Sequence, residues 1–441
     1  MASLKDYEEL VEVDAGTAMG DLLRLYWMPV YPSKDLVAGK RPTRVRLLGE
    51  DLVAFRTPEG DVRIQGAVCP HRQAPLFYAR NEPGGLRCIY HAWKFNETGL
   101  CTGMPNEARA RKHGDQVRVP SYPCRERNGV VWVHMGNDVG DASELPELPE
   151  VEWNMVPEDQ VYVSMRVQQC NWVQALEGEI DSSHAPILHG RVDAGGLRSQ
   201  TAWDDDLDPR LEAVDTDHGT IVGACRDAGD KHYWRINQFV MPFWTLVPPT
   251  SPYPNLSGHA WVPIDKYTTL SFMFSYQPTE PLPEKVTRLF SQGARGRESG
   301  HLTEARHLSG PEAEIRPFGH YWPTLNAAND FGYDESLEES HFSALPGLWV
   351  QDAACQEAVA PIMDRSKENL GASDLGIIRM RRMLLKAARA LRDDKVHPPT
   401  ADRPELYAVR AASPTLERDD KWLEAAAQFV RAGGDYGYDI L

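Results

Sequence analysis

Two short motifs, each with one cysteine and one histidine, place the strongest constraint on how this chain can fold. One residue separates Cys69 from His71, two residues separate Cys88 from His91, and sixteen residues lie between the pairs. Each pair falls in a turn between stretches that alternate apolar and polar residues, a pattern typical of β-strands. Thiolates and imidazoles in two neighbouring turns are donors for a metal site. The sequence therefore predicts a small antiparallel β unit built around such a site.

Zinc and an iron-sulfur cluster are the two occupants that suit these four donors. Zinc-finger spacing keeps the cysteines in one half of the motif and the histidines in the other. Here each half carries one of each. Two loops of this kind can hold a [2Fe-2S] cluster with both cysteines on one iron and both histidines on the other, which is a Rieske centre. We interpret Cys69, His71, Cys88 and His91 as the ligands of a Rieske [2Fe-2S] cluster.

A second group of metal-binding residue types lies in the segment NWVQALEGEIDSSHAPILHG. It contains His184 and His189, with Asp181 one turn before His184 on a helix predicted from Asn171 to His184. A protein that draws electrons through a Rieske centre needs an acceptor for them. Two histidines and a carboxylate form an iron site with open positions that activates O2. We therefore predict mononuclear non-haem Fe(II) bound by His184 and His189.

The carboxylate of this iron site is expected to come from a later helix, predicted over Gln351 to Leu370. Asp352 lies near the start of this apolar helix, where an isolated acid is costly to bury unless it binds a cation. Glu357 and Asp364 are the competing carboxylates. Glu357 lies well around the helix from Asp352, and Asp364 precedes Arg365 as if paired with it. Asp352 is the favoured ligand.

Asp181 is left with a different task. A ligating histidine usually donates its second N–H to a carboxylate, and Asp181 lies one turn before His184. The same carboxylate can also reach a cluster histidine, so we interpret Asp181 as the electron-transfer bridge. Glu177 and Asn171 are expected to support the ligands from nearby.

Size, charge and cysteine usage exclude several classes of protein. The 441 residues exceed one ordinary core, and 64 acidic against 47 basic residues give a net charge of −17, which disfavours nucleic acid and anionic lipid as partners. No apolar run approaches a membrane span, and the N-terminus lacks a basic region followed by an apolar stretch. Seven sparse cysteines argue against a disulfide framework. The expected location is the cytoplasm, with no membrane partner.

The order of strand-like and helix-like stretches predicts an α+β protein in three parts. Residues 1–40 are expected to form an N-terminal segment that packs on the catalytic domain, residues 41–149 the Rieske domain, and residues 150–441 a catalytic iron domain with C-terminal helices. Helices are predicted over Pro283 to Gln292 and over Asp374 to Asp393, and residues 299–334 are expected to be irregular. The basic face of the second helix is interpreted as solvated or paired with acidic residues.

The chain resembles the oxygenase (α) component of Rieske non-haem iron oxygenases, in the phthalate dioxygenase-like branch. The similarity covers nearly the whole chain and includes the segments GTAMGDLLRLYWMPV, RVRLLGEDLVAFR, CPHR, LRCIYHAWKF, NWVQALEGEIDSSHAPILH, AANDFGYD and VQDAACQEAVAPIMDRSKENLGASD. It implies the site residues already named, namely Cys69, His71, Cys88, His91, His184, His189, Asp352 and Asp181. Two positions depart from many relatives: Gly178 replaces an asparagine, and Glu335 stands where a basic residue is expected.

The resemblance also implies a fold, an assembly and a partner. The catalytic domain is expected to be a helix-grip fold, a curved antiparallel sheet with helices. The subunits are expected to form a homotrimer or a dimer of trimers, in which the cluster of one subunit supplies electrons to the iron of its neighbour. A separate reductase, carrying FMN and a plant-type [2Fe-2S] domain, is expected to deliver electrons from NAD(P)H.

The expected activity is hydroxylation of an aromatic acid with O2. The reaction is ring cis-dihydroxylation or O-demethylation of a methoxylated, lignin-derived acid. The enzymatic alternative is N-demethylation or monooxygenation of another polar ring, and the non-enzymatic alternatives are a Rieske electron-transfer protein and a zinc-binding interaction protein. A substrate anion would need a cation, and four basic residues in the segment expected to line the pocket are candidates, although each also suits the surface: Arg198, Arg210, Lys231 and Arg235.

Overall fold

The computed structural model describes residues 3–107, 116–136, 144–193, 196–198, 206–249, 256–291 and 307–434. They confirm the α+β class: short antiparallel sheets come first, and a larger sheet covered by helices follows. None of the described helices is long and apolar enough to cross a membrane.

The first part of the described chain contains two short helices and small antiparallel sheets. In chain order the elements are α1 Leu4–Val11, α2 Ala18–Leu23, β1 Trp27–Pro32, β2 Thr43–Leu47, β3 Glu50–Arg56, β4 Val62–Gly66, β5 Arg80–Glu82, β6 Gly85–Arg87, β7 Lys94–Phe95, β8 Cys101–Gly103, β9 Ser121–Tyr122, β10 Cys124–Arg127 and β11 Val130–His134. The strand orders are β1-β11-β10, β2-β3-β4-β9 and β5-β6-β7-β8. The loops that carry the Cys-His pairs follow β4 and join β6 to β7.

Alternation of side chains explains why β2 and β3 form a hairpin. Val45 and Leu47 are buried, whereas Arg46 points outward and pairs with Asp51 on the facing strand at 2.7 Å. Gly49 adopts a φ of 81° in the turn, a conformation that glycine reaches without steric cost.

The second part of the described chain is built on one large antiparallel sheet. Its elements are β12 Val161–Gln168, α3 Trp172–Ile180, α4 Ala185–Leu188, β13 Arg191–Asp193, β14 Gly196–Arg198, β15 Arg210–Asp215, β16 Gly219–Ala228, β17 Lys231–Val240, β18 Trp244–Val247, β19 Leu256–Asp265, β20 Thr268–Tyr276, α5 Glu284–Ser291, α6 Gly310–Glu314, α7 Leu348–Glu357, α8 Leu375–Asp394, α9 Pro399–Asp402, β21 Thr415–Glu417 and α10 Trp422–Ala425. The strand order is β12-β20-β19-β18-β17-β16-β15, and β21 pairs with β17.

The two faces of this sheet differ in chemistry. One face buries Trp244 and Phe274 against Trp132 and Trp153, so it is part of the main apolar core. The other face, which we call the α3 face, lies under α3 and α8. Since alternate residues of a strand point to opposite faces, the α3 face carries the neighbours of these aromatic residues, and several of them are polar.

Two predicted helices end earlier than the sequence indicated. The helix predicted to reach His184 ends at Ile180, because Asp181 adopts an extended backbone with φ −73° and ψ 120°. The helix predicted to reach Leu370 ends at Glu357. Pro361 lacks an N–H and disfavours helical geometry in the residue before it, which accounts for the early end of the second helix.

The other helix predictions agree with the structure more closely. α5 matches the helix predicted over Pro283 to Gln292, and α8 matches the predicted amphipathic helix. The segment predicted to be irregular is described from residue 307 onward, where it contains the five-residue helix α6 and short 3-10 turns.

Acidic residues pair with the basic face of α8, which confirms the interpretation of that face. Arg389 contacts Glu9 of α1 at 2.6 Å. Arg381 is buried and contacts Glu177 of α3 at 2.6 Å and Glu368 at 2.7 Å. Arg365 contacts the same Glu177 at 2.6 Å. These pairs tie α3, and with it the site that follows, to α8.

Candidate metal centres

The two Cys-His motifs form two loops with the same backbone pattern. In the first loop the N–H of Cys69 donates to the carbonyl of Ala74 and the N–H of Gln73 donates to the carbonyl of Cys69, both at 2.9 Å. In the second loop Cys88 and Ala92 repeat these bonds at 2.8 and 3.0 Å. Gln73 and Ala92 both have positive φ, near 57° and 59°. Matched turns therefore present the two cysteines in the same way, and each turn carries its histidine between the cysteine and the residue with positive φ.

The four side chains meet at one edge of the domain. Cys69 and Cys88 are buried, at 1% and 2% exposure, whereas His71 and His91 are half-buried. The two imidazole rings lie 4.6 Å apart, and the His71 ring stacks on Trp93 at 4.3 Å. The thiols thus lie on the inner side and the imidazoles on the outer side.

This donor set fits a two-iron cluster. Burial raises the pKa of the Cys69 thiol to about 11, and the neighbouring Cys88 adds to the rise, so a pair of thiolates here needs a cationic partner. Nδ1 of His91 is buried and has no hydrogen-bond partner among the described residues. A buried ring nitrogen without a partner is costly, and a metal ligand bond would satisfy it.

His184 and His189 lie at the two ends of the short helix α4. His184 precedes the helix and His189 follows it, with their rings 5.4 Å apart. Nε2 of each histidine lies 3.5 Å from the same oxygen, Oδ1 of Asp352 on α7. One ligand atom from each of the three residues lies within 4.8 Å of the other two. Two imidazoles and one carboxylate in this arrangement form a donor set for a divalent metal.

The electrostatics of this group favour a bound cation. Burial lowers the pKa of His184, but the carboxylates of Asp181 and Asp352 outweigh it and raise the pKa to about 10. Burial acts to raise the pKa of Asp352, but the charges of His189 and His184 lower it. The three side chains thus form a strongly coupled site that stabilises positive charge between them.

Asp181 contacts His184 on the side of the ring away from Asp352. It does so from a turn, whereas the sequence predicted that Asp181 and His184 would lie on one helix. One carboxylate oxygen accepts the N–H of Ser183 at 2.7 Å, and the other lies 3.2 Å from both the backbone N and Nδ1 of His184. Since Nδ1 of His184 faces this carboxylate, Nε2 is directed to Asp352. The turn therefore fixes the orientation of the imidazole.

The residues that were expected to compete for the iron, or to support its ligands from nearby, lie away from the two histidines. Asp364 is exposed and pairs with Lys367 at 3.0 Å, and Arg365 pairs with Glu177, so the expected Asp364–Arg365 pair is wrong. Asn171 begins α3 by accepting the N–H of Val173. Glu177 and Asn171 therefore stabilise the helix before the site and contact neither histidine.

The two departures from relatives have different surroundings. A Cβ at Gly178 would lie 2.0 Å from the side-chain nitrogen of Gln356, so any larger residue there would have to displace this amide between α3 and α7. Glu335 is exposed at the start of a short 3-10 turn.

Glu357, the other competitor on α7, is buried away from the histidines. Burial raises its pKa to about 8, against a smaller lowering by the backbone N–H of Gln169. In the unfolded chain a glutamate ionises near pH 4.3. Between these two pH values Glu357 is protonated in the folded protein but ionised in the unfolded chain. The free energy of unfolding therefore falls as the pH rises, by at most about 1.4 kcal/mol per pH unit.

Replacement of Glu357 by glutamine is expected to remove this dependence. The difference in Tm, variant minus wild type, should be larger at pH 8.5 than at pH 5.5. The reason is that only the wild type has to ionise a buried acid at the higher pH. Calorimetry at both pH values measures the difference. An equal Tm difference at the two pH values would contradict the buried-acid explanation.

Three polar residues near the iron site were not identified from the sequence. Gln351 lies 2.7 Å from Nδ1 of His189, and Glu179 of α3 lies 2.5 Å from Nδ1 of His259 on β19. The sequence did contain a signal for Gln351. It directly precedes the proposed ligand Asp352, and a ligating histidine needs a nearby partner for its second nitrogen. The Glu179–His259 pair has no short-range signal, because the two residues meet only through packing.

Family models match almost all of the chain. The description "Rieske [2Fe-2S] domain" matches residues 26–123, and "LigXa C-terminal domain like" matches residues 135–301 and 310–437. Among solved structures, dicamba monooxygenase bound to 3,6-dichlorosalicylic acid has a TM-score of 0.57 at 16% identity, covering 84% of this chain and 99% of that one. The terminal oxygenase of carbazole 1,9a-dioxygenase from Novosphingobium sp. KA1 has a TM-score of 0.54 at 18% identity, covering 87% and 96%. These likenesses support the fold.

Curated relatives show closer similarity in sequence. The oxygenase subunit of 3-chlorobenzoate-3,4-dioxygenase from Comamonas testosteroni is 38% identical, over 92% of this chain and 93% of the relative. The oxygenase subunit of phthalate 4,5-dioxygenase from Pseudomonas putida is 31% identical, over 97% and 95%. That of 5,5'-dehydrodivanillate O-demethylase from Sphingobium sp. is 28% identical, over 98% and 91%. With its Rieske [2Fe-2S] domain and mononuclear non-haem iron domain, the chain belongs to the oxygenase α subunits of the Rieske non-haem iron oxygenase family.

Proposed function

We propose that this oxygenase component hydroxylates an aromatic acid, with Cys69, His71, Cys88 and His91 holding the cluster and His184, His189 and Asp352 holding the iron. The observation that carries the proposal is the convergence of two imidazoles and one carboxylate at a site next to the polar α3 face of the sheet. Three protein ligands leave positions on the metal for O2 and substrate.

A hydrogen-bonded pair on the α3 face supports a polar aromatic substrate. Glu179 accepts from Nδ1 of His259 and from the hydroxyl of Thr245, and the ring of Trp261 stacks on His259 at 4.7 Å. This arrangement holds the imidazole in place and leaves Nε2 as the ring nitrogen that does not bond to Glu179. The charge of His259 also acts on Asp352, so the imidazole lies near the proposed iron site. A fixed polar group beside a flat aromatic surface suits a ring with an anionic substituent.

Arg235 is the candidate cation that lies on the same face. It is 3% exposed and shares its face of β17 with Asn237, which donates to the backbone carbonyl of Glu179 at 3.4 Å. Arg210 is exposed and pairs with Glu212, and the half-buried Lys231 pairs with Glu417. The side chain of Arg198 lies outside the described residues. A guanidinium on this face is the kind of group that binds a carboxylate, so we propose a carboxylate as the substrate's polar group.

The chain's own residues determine how the site operates. When bound, iron(II) activates O2 with electrons relayed by the cluster. Asp181 and Asp352 hold His184 between them, and the Glu179–His259 pair orients the substrate ring. The names of the relatives include two dioxygenases of aromatic acids and one O-demethylase, so they support both reaction types that the sequence left open.

Asp181 and the cluster edge are proposed to meet across a subunit boundary. Val68, Ile89 and Tyr90 are apolar and exposed around the cluster, at 42%, 62% and 54%. We propose that a neighbouring subunit covers these residues and brings its Asp181 close to a cluster histidine of this subunit. We therefore propose a homotrimer or a dimer of trimers. A separate reductase with FMN and a plant-type [2Fe-2S] domain is proposed to supply NAD(P)H electrons, in the cytoplasm.

A single turnover with O2 tests the proposed function. The anaerobically reduced protein is mixed with O2 and a panel of benzoates, phthalates, methoxylated benzoates and N-methylated rings, and products are read by mass. We expect an aromatic acid either to gain two oxygens and two hydrogens, or to lose a methyl group with release of formaldehyde. Asp352→Ala, which keeps the cluster, is the control and should give no product. Conversion of N-methylated rings without conversion of any acid would overturn the proposal.

A further inference from the structure

The neutral side-chain amide of Gln351 contacts His189 on the side of the ring away from Asp352. Its Nδ1 lies 2.7 Å from Oε1 of Gln351, while its Nε2 lies 3.5 Å from Asp352. Gln351 is 3% exposed and directly precedes Asp352 on α7. The helix that offers the carboxylate to the proposed iron site therefore also holds one of its histidines.

The direction of this amide is fixed by a second hydrogen bond. Nε2 of Gln351 donates to the backbone carbonyl of Leu345 at 3.0 Å. If the amide were reversed, its oxygen would face the carbonyl oxygen of Leu345, and two acceptors would be in contact. Oε1 therefore faces His189, and since an amide oxygen only accepts, Nδ1 of His189 carries the proton. The lone pair of His189 is then on Nε2, the atom that faces Asp352.

The two histidines are consequently held by different chemical groups. Nδ1 of His184 faces the carboxylate of Asp181, whereas Nδ1 of His189 faces a neutral amide. A charged acceptor makes an imidazole a more basic ligand than a neutral acceptor does. The geometry therefore fixes both rings while placing a carboxylate behind only one of the two histidines.

We propose that Gln351 is a positioning residue for the mononuclear iron, which fixes the tautomer and ring orientation of His189 through its amide oxygen. The inference rests on the proposed function only in that His189 is an iron ligand. It is tested by metal binding, so a failed substrate assignment would leave its outcome unchanged.

The test compares two leucine substitutions on the same helix. Gln351→Leu removes the hydrogen bond to His189 at nearly constant volume. Gln356→Leu removes a buried amide whose oxygen accepts from Gln168 and which touches neither histidine. Both proteins are stripped of mononuclear iron and titrated with Fe(II) under anaerobic conditions, and acid-labile sulfide reports the cluster. We expect Gln351→Leu to bind Fe(II) about 10- to 100-fold more weakly, with the cluster intact, and Gln356→Leu to bind it as the wild type does.

A conservative variant separates positioning from simple packing. Gln351→Glu keeps an acceptor for His189 but loses the bond to Leu345, because its second oxygen replaces the amide N–H. It is expected to restore part of the Fe(II) affinity that Gln351→Leu loses. Its added charge should change the EPR signal of the nitric oxide complex of the iron, which is observed with the cluster oxidised. This variant also provides the test if Gln351→Leu does not fold. Unchanged Fe(II) affinity in Gln351→Leu, an equal loss in Gln356→Leu, or an unaltered EPR signal in Gln351→Glu would overturn the proposal.

Discussion

Replacement of Asp181 by asparagine is expected to slow turnover roughly 100-fold while both metal sites stay filled. The asparagine has the same shape, and its oxygen can still accept from Nδ1 of His184, so the imidazole should remain in place. The negative charge is lost, however, and with it the carboxylate that we propose as the link between His184 and a cluster histidine. The defect should therefore lie in electron transfer between the two sites.

Stopped-flow reoxidation of the reduced cluster measures this step directly. With substrate and O2 present, the cluster of Asp181→Asn should reoxidise far more slowly than that of the wild type, although iron and sulfide contents are equal. Asp364→Asn removes the same charge from an exposed residue that pairs with Lys367, so it should behave as the wild type. Reoxidation of Asp181→Asn at the wild-type rate would rule out the bridge.

Substitution of Asp352 by alanine is expected to abolish turnover by removing the mononuclear iron. Oδ1 of Asp352 is the atom that both histidines face at 3.5 Å. Without it, two neutral imidazoles remain, and they hold iron(II) poorly because a hard cation favours an oxygen donor. The Cys-His loops adjoin the small sheets in the first part of the chain, whereas Asp352 lies on α7 in the second part. The cluster should therefore be unaffected.

Iron and sulfide analysis distinguishes Asp352 from its competitor on the same helix. Asp352→Ala should retain the cluster iron and its sulfide but lose the additional iron, with no product in a single turnover. Glu357→Gln, the matched variant one and a half helical turns away, should keep all of the iron. If Glu357→Gln lost the mononuclear iron and Asp352→Ala kept it, the assignment of the carboxylate would be reversed.

Local patterns predicted the parts of the site that depend on neighbouring residues. The Cys-His loops are short turns between strands, so their spacing in the sequence indicated which donors would meet. The segment with His184 and His189 is similarly compact. The length of the helix before it was predicted wrongly, because Asp181 ends the helix through hydrogen bonds to Ser183 and His184 that helical periodicity does not encode.

The sequence by itself determined the α+β class, the family and the residue types of both proposed metal centres, since these depend on motifs that are contiguous in the chain. Only the tertiary structure brought Asp352 to the histidines, placed Gln351 behind His189 and joined Glu179 to His259. Those contacts span 80 or more positions. They arise from sheet register and from the packing of α3 and α7, and a side chain's partner across such a distance is set by the free energy of the whole packed core.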